Sequence, residues 1–300
     1  MPIKFSLLDV FADAPFQGTQ IPVVELETTI PDDLKLCIAS EFKQTETVFI
    51  DKSNKTQPFS VYNSSAKTEF GAHTTLAASY MGYELGLAQD EGAFSALVIK
   101  EPAYTIESFI DKSENGIGNI QYRRTLSVTV DNYTPEISRI AAALNTDAKH
   151  ISFSKYKPLL VSVDRPILVV PFTKHEHILK VCLDSSQWSE LLADVYASDI
   201  FLFAPGSITG TTAFHGRLLS QFTPQNEFPP IGSVLPEFIA YLAAQASTSE
   251  GTHTFAIDRG SLTTRKSVIH AEFDKRSGKE TQCRIGGRVI KMGEGTLLYP

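Results

Sequence analysis

Residues Thr68 to Gly82 read TEFGAHTTLAASYMG and set an ionisable ring, His73, where a loop turns into a helix. The phrase recurs at Ile231 to Gln245, IGSVLPEFIAYLAAQ: a glycine, a polar residue, then a helix with Leu235, Phe238, Ile239 and Leu242 at inward spacing. A helix start leaves backbone N–H groups unpaired and carries partial positive charge, so it can hold a carboxylate or a developing enolate. Gly71 and Gly232 let a ligand approach the backbone, and His73 and Ser233 are the polar residues that would face it. Serine is also a favoured helix cap and needs no function to sit there; histidine is a poor cap.

Outward from these two helices the chain is mostly strand. Ile3 to Val24 carries two short apolar runs, FSLLDVF and IPVVEL, broken by Ala14-Pro15 and Gln17-Gly18, which reads as a strand pair. Pro31 opens a helix with Leu34, Ile38 and Phe42 inward and Asp32 and Asp33 in its first turn, and a strand from Thr47 to Ile50 follows. A similar phrase, Thr134-Pro135-Glu136 with Ile137, Ile140, Ala141 and Leu144 at helical spacing and then Ile151-Ser152-Phe153, suggests two halves on one plan. The two echoes have different offsets, 135 − 31 = 104 and 232 − 71 = 161, so the second half is expected to carry insertions. Further strands are expected at FSVYN, FSALVIK, YTIESFI, LSVTV, PLLVSV, ILVVPF, DIFLFAP, FAI, SVIHAEF and RVIKM. With a boundary at the Gly-rich SENGIGN stretch, the expected architecture is α+β with two similar lobes, residues 1–117 and 118–300, the last strand near 290–300 completing the first.

Three hundred residues, 42% hydrophobic and 20% charged, suffice for a sizeable core. A net charge of −7 argues against nucleic-acid and anionic-membrane partners and for a small molecule. Cys37, Cys182 and Cys283 are odd in number and follow no metal spacing, and no long apolar run or signal-peptide pattern is found, so a cytoplasmic protein is expected. GxGxxG after a strand, GxxxxGK[ST], HExxH and GxSxG are all missing. His175 and His177, in KHEHIL, have strand-like spacing that would set two imidazoles on one face, but no third metal ligand accompanies them. Glu46, in QTETVFI, ends a loop at the mouth of an apolar strand, where partial desolvation would suit a carboxylate to moving protons near neutrality.

Taken together, these motifs resemble the PhzF-like isomerases of the phenazine-biosynthesis family. Family sequences open with VFTxxPFxGNPxAVV, against DVFADAPFQGTQIPVVEL; SETVFV meets QTETVFI, and FTPxxELPFAGHPTLG meets YNSSAKTEFGAHTTLA. RxFAPxxGxxEDPATGSA aligns without a gap on Arg217 to Val234, and the C-terminal patterns resemble RGSLTTRKSVI and IGGRVIKMGEGTLL. The resemblance implies the diaminopimelate-epimerase-like fold: two lobes, each a curled, mostly antiparallel, barrel-like sheet around a central helix, with the active-site cleft between them. It implies a cofactor-independent isomerase needing no metal, with a small carboxylate substrate and a homodimer as the assembly. By position, Glu46 matches the family's catalytic glutamate and His73 its active-site histidine. Thr19, Gly71, Ala72, Thr74, Glu227, Phe228, Gly232 and Ser233 fall where substrate is bound. The chain departs from the family at Thr19 in place of the asparagine of GNP, at Phe228 in place of the acidic residue of EDPATGSA, and at Arg259 in place of the glutamine of QG. An altered-specificity or catalytically silent ligand-binding member is therefore the alternative.

Overall fold

The computed structural model describes residues 2–102, 104–113, 116–131, 133–220, 229–261 and 264–298. The chain forms two compact units, Met1–Arg124 with Arg284–Pro300, and Thr125–Cys283. In the first, β1 (Pro2–Val10) and β2 (Thr19–Leu26) form an antiparallel hairpin. Helix α1 (Asp32–Phe42) then carries the chain to β3 (Thr47–Asp51), parallel to β2. Next come β4 (Phe59–Tyr62), β5 (Lys67–Thr68), α2 (Ala72–Glu84), β6 (Gln89–Asp90), β7 (Phe94–Lys100), β8 (Thr105–Ser113) and β9 (Gly116–Leu126). The second unit holds β10 (Thr129–Asp131), α3 (Ile137–Ala143), β11 (Leu159–Ser162), β12 (Pro166–Pro171), α4 (His175–Leu179) and α5 (Ser185–Val195). It continues through β13 (Asp199–Pro205), β14 (Phe214–Leu219), α6 (Leu235–Ala244), β15 (Gly251–Arg259) and β16 (Ser267–Lys275). The last strand, β17 (Thr281–Leu298), pairs antiparallel with β1 from Pro2↔Leu298 to Val10↔Val289 and also pairs with β9. The fold is α+β and dominated by sheet.

Helix α2 touches β1, β2, β3, β7 and β8, and ten of its thirteen residues are buried. Its small side chains, Ala72, Thr74, Thr75, Ala77, Ala78 and Ser79, let strands approach it from all sides, so it has no polar face. Helix α6 is the same kind of element: all its residues but the last are buried, among them Leu235, Phe238, Ile239 and Leu242 as the sequence spacing requires. No described helix is long and apolar enough to cross a membrane.

The two units repeat one order of elements. In the first, α1 joins the parallel strands β2 and β3, then β4, α2, β7 and β8 follow; in the second, α5 joins the parallel strands β12 and β13, then β14, α6, β15 and β16 follow. The offsets lie between 147 and 163 along the series: 166 − 19 = 147 for β12 and β2, 185 − 32 = 153 for α5 and α1, 214 − 59 = 155 for β14 and β4, 251 − 94 = 157 for β15 and β7, and 235 − 72 = 163 for α6 and α2. The counterpart of α1 is therefore α5, not α3 as its Pro-Glu opening suggests. Helix α3 is an addition that packs against α5, with Ile140, Ala141 and Leu144 in the core but Ile137 exposed. Helix α5 escapes the sequence reading because its start is an Asp184 cap, accepting from Ser186 N and Gln187 N, rather than a proline. Two further expectations are corrected. The SENGIGN stretch joins β8 to β9 inside the first unit, and the Ile151–Phe153 segment makes only isolated bridges.

The strongest buried polar cluster of the second unit ties β14 to β15. His215 Nδ1 lies 2.8 Å from Asp258 Oδ1, both side chains fully buried. Asp258 Oδ2 accepts from Ser207 Oγ, Ile208 N, Thr209 N and Thr209 Oγ1 at 2.8 to 2.9 Å. Burial would raise the Asp258 pKa, but the His215 bond and these donors outweigh it and hold the carboxyl down to about 2. A depressed carboxylate stabilises the fold above its unfolded pKa of ~3.9 and loses that contribution as pH falls through the folded value. Asp258→Asn should therefore cost about 3 kcal/mol in urea unfolding at pH 7, with the gap to wild type narrowing toward pH 3. A gap that does not change with pH would refute the assignment.

Candidate active site at the head of α2

A helix buried on every face exposes only its ends, and the head of α2 is built to stay open. Gly71 sits at the cap position with extended backbone, and a Cβ added there would meet nothing within 4 Å. Thr74 Oγ1 accepts from Gly71 N at 3.0 Å and donates back to Gly71 O at 3.2 Å. This clip satisfies the cap residue's own N–H from inside the first turn. Glycine has no side chain to cap the next amides, so the first-turn N–H groups of Ala72 to Thr74 give the helix head its donor character.

His73 lies in that first turn, 2% exposed, with the Phe11 ring edge-on at 5.2 Å between centroids. Phe11 reaches it by leaving β1 in a left-handed conformation, φ 59°. The loop then returns through Gly18, φ +68°, whose position leaves no room for a side chain: a Cβ would stand 2.2 Å from Val10 O. Asp9, fully buried, accepts from Phe16 N at 3.0 Å across the loop. Thr19 starts β2 opposite Val10, and Gln20 beside it accepts from Gln44 Nε2 at 3.3 Å. Glu46 stands two residues before the Val23↔Val48 pair, half-buried at the mouth of β3. Val10 at the end of β1, Thr19 at the start of β2 and Glu46 ahead of β3 thus lie at the same edge of the sheet, and the Phe11–His73 contact ties the α2 head to the loop between β1 and β2.

Sequence reading missed a second carboxylate at this helix head. Glu101 follows β7 and accepts from Phe70 N at 3.3 Å; burial, ahead of the nearby Glu69 charge, pushes its pKa up. Tyr104 donates to Phe70 O at 3.4 Å, and Arg124 lies over the Tyr104 ring at 4.1 Å. Thirty-one residues separate Glu101 from Phe70, and no local motif announces the contact.

In the second unit, Gly232 and Ser233 belong to a single 3₁₀ turn, Gly232–Val234, and the α-helix begins only at Leu235. The turn runs without a break into that helix, so Gly232 and Ser233 stand at its start in 3₁₀ rather than α geometry. Pro236 explains the delay, since proline is favoured in the first turn and fixes where the helix starts. Glu227 and Phe228 lie outside the described residues. His175 and His177 are in helix α4 rather than a strand, so they point apart: the His177 ring stacks on His150 at 3.7 Å, and the His175 ring stands 6.0 Å from that of His215. Among the described residues no group of three or more His, Cys, Asp or Glu is placed to hold a metal ion.

The model of the PhzC-PhzF family, described as phenazine biosynthesis-like protein, matches residues 8–295. The chain belongs to that family. An uncharacterized isomerase of Mesorhizobium japonicum is 24% identical over 98% of both chains. The crystal structure of a PhzF-family phenazine biosynthesis protein of Bacillus anthracis superposes with a TM-score of 0.84, at 17% identity and 100% coverage of both chains. A hydroxyproline epimerase of Agrobacterium vitis shares the fold more distantly, with a TM-score of 0.60 at 8% identity over 99% of this chain and 92% of that one.

If Gly18 is what lets Phe11 close on His73, Gly18→Ala should cost about 1 to 3 kcal/mol, through both the left-handed φ and the clash with Val10 O. Urea unfolding checks this, and a variant within about 0.5 kcal/mol of wild type would show that the loop tolerates the change.

Proposed function

We propose that the protein is a cofactor-independent isomerase that moves a proton between two carbons of a small carboxylate-bearing metabolite. The open α2 head, with His73 buried in its first turn, supports this reading, as does the half-buried Glu46 ahead of β3. Glu46, as the base, takes a proton from a carbon made acidic by an adjacent carbonyl or conjugated system, leaving the electron pair on the substrate as an enolate-like anion. The N–H groups at the α2 head and the His73 ring stabilise that anion, and the protonated Glu46 returns its proton to a second carbon. Proton and electrons balance within the substrate, so neither oxidant nor electron-sink cofactor is required. Support for a carboxylate substrate comes from the helix head and from the Agrobacterium vitis epimerase, whose structure carries bound trans-4-hydroxy-L-proline. Cytoplasmic location and a homodimer belong to the same proposal and rest on the family resemblance alone.

The second reading is a member that binds such ligands without turnover, favoured by Thr19 and Phe228 where the family pattern has asparagine and an acid. Solvent deuterium exchange into a panel of small unsaturated and amino-acid carboxylates separates the two. Wild type should incorporate deuterium into at least one compound, and Glu46→Gln should lose about a hundred- to ten-thousand-fold of that rate while still binding it. No exchange by wild type into any compound that binds would leave the silent reading standing.

A further inference from the structure

The internal repeat separates what the fold imposes from what the sequence has added, and the difference falls between β4 and β7, beside α2. In the second unit β14 and β15 are joined in parallel through Phe214↔Ile257 and His215↔Asp258. By the offsets of the two pairs, the same positions in the first unit are Phe59 and Ser60 on β4 and, facing them, Lys100 on β7 with Glu101 beyond it (214 − 155 = 59, 257 − 157 = 100). Among the described residues β4 pairs with β3 and β5, and β7 with β6 and β8, but β4 and β7 do not pair with each other. One side chain spans the gap: Gln57 Nε2 donates to Lys100 O at 3.5 Å. A cavity of about 310 Å³ occupies this seam.

Its chemistry is one-sided. The floor is apolar, with Phe59 and Leu97 buried and Leu87 beside them. The rim carries donors: the ammonium groups of Lys55 and Lys100 and the amide of Gln57. No carboxylate lines the cavity, and among the described residues neither lysine has an ion-pair partner, in a chain with net charge −7. The β7 edge adds backbone. Phe94 O and Lys100 O face Glu91 N and Gln57 Nε2, so by strand alternation the polar groups of Val98 turn toward the same seam. The equivalent end of the second unit holds a smaller cavity, about 230 Å³, floored by Phe214; there the Lys155 ammonium already lies over the Tyr156 ring at 5.3 Å. Two free lysines over an apolar floor are therefore not a demand of the fold.

We propose that this seam is a second binding site, separate from the α2 head, for a small amphipathic monocarboxylate: a ring or branched apolar body on Phe59 and Leu97, its carboxylate between Lys55 and Lys100. The volume is at the lower end for small-molecule sites and suits one ring with a short acid chain. None of the cavity's lining residues belongs to α2, so the site shares no residue with Gly71 to Thr74, although Lys100 neighbours Glu101 at that helix's head. The proposal does not depend on the isomerase reading.

The test is a titration of ¹⁵N-labelled protein with 3-phenylpropionate and with its neutral amide. The acid should shift the backbone amides of Gln57 and of Leu97 to Lys100 at millimolar concentration, and bind about tenfold more tightly than the amide. Lys55→Ala with Lys100→Ala, both exposed, should weaken the acid by about the same factor, while Lys155→Ala should leave it unchanged. The proposal is overturned if those amides stay still, if shifts occur only at Gly71 to Thr74, if acid and amide bind alike, or if the double variant binds as wild type does.

Discussion

The organisation of the first unit follows from burying α2 on every side. Sheet strands on all its faces remove any lateral route for polarity, so what the helix can offer a ligand is confined to its two ends. At the head, the Gly71–Thr74 clip settles the cap residue internally and leaves the first-turn amides facing outward. In the seam between β4 and β7, lysine side chains supply the positive charge instead. The two places differ in kind: one is made of backbone that any sequence with small residues would provide, the other of side chains particular to this chain.

The loop after β1 shows how a distant constraint serves the head. Asp9 and Gly18 hold a tight return, Phe11 emerges in a left-handed conformation, and its ring limits where the His73 imidazole can lie. Glu46 is positioned by a different device, the parallel register of β2 and β3 with α1 as the crossover. A hairpin loop and a crossover loop thus leave the same edge of one sheet, and this is the structural basis for assigning Glu46 and His73, 27 apart in sequence, to one candidate site.

Much of this was legible before any coordinates. Period-2 and helical spacing locate α1, α2, α6 and most strands; His73 stands out as a poor cap at a helix start, while Glu46 is marked mainly by its match to the family's glutamate. The repeat was legible too, but its register was misread: α3 shares a proline-acid opening with α1, whereas the true counterpart, α5, starts on an Asp184 cap. Local start signals identify helices but not which helix answers to which; only pairing order does that, as the parallel β12 and β13 reveal. The glycine-polar phrase at Gly232-Ser233 marks a helix start but does not distinguish an α-helical first turn from the 3₁₀ turn found ahead of Pro236. Glu101 and the β4–β7 seam were invisible for a shared reason, since both depend on contacts between segments more than thirty residues apart.

The central claim is that the open α2 head is where the substrate's negative charge is received. The most direct measurement is the ¹⁵N shift of backbone amides on titration with small cyclic and branched carboxylates, including trans-4-hydroxy-L-proline. The account predicts that the amides of Ala72, His73 and Thr74 move together and that His73→Leu alters the response without unfolding α2. Saturable binding that leaves those three amides unmoved would contradict it.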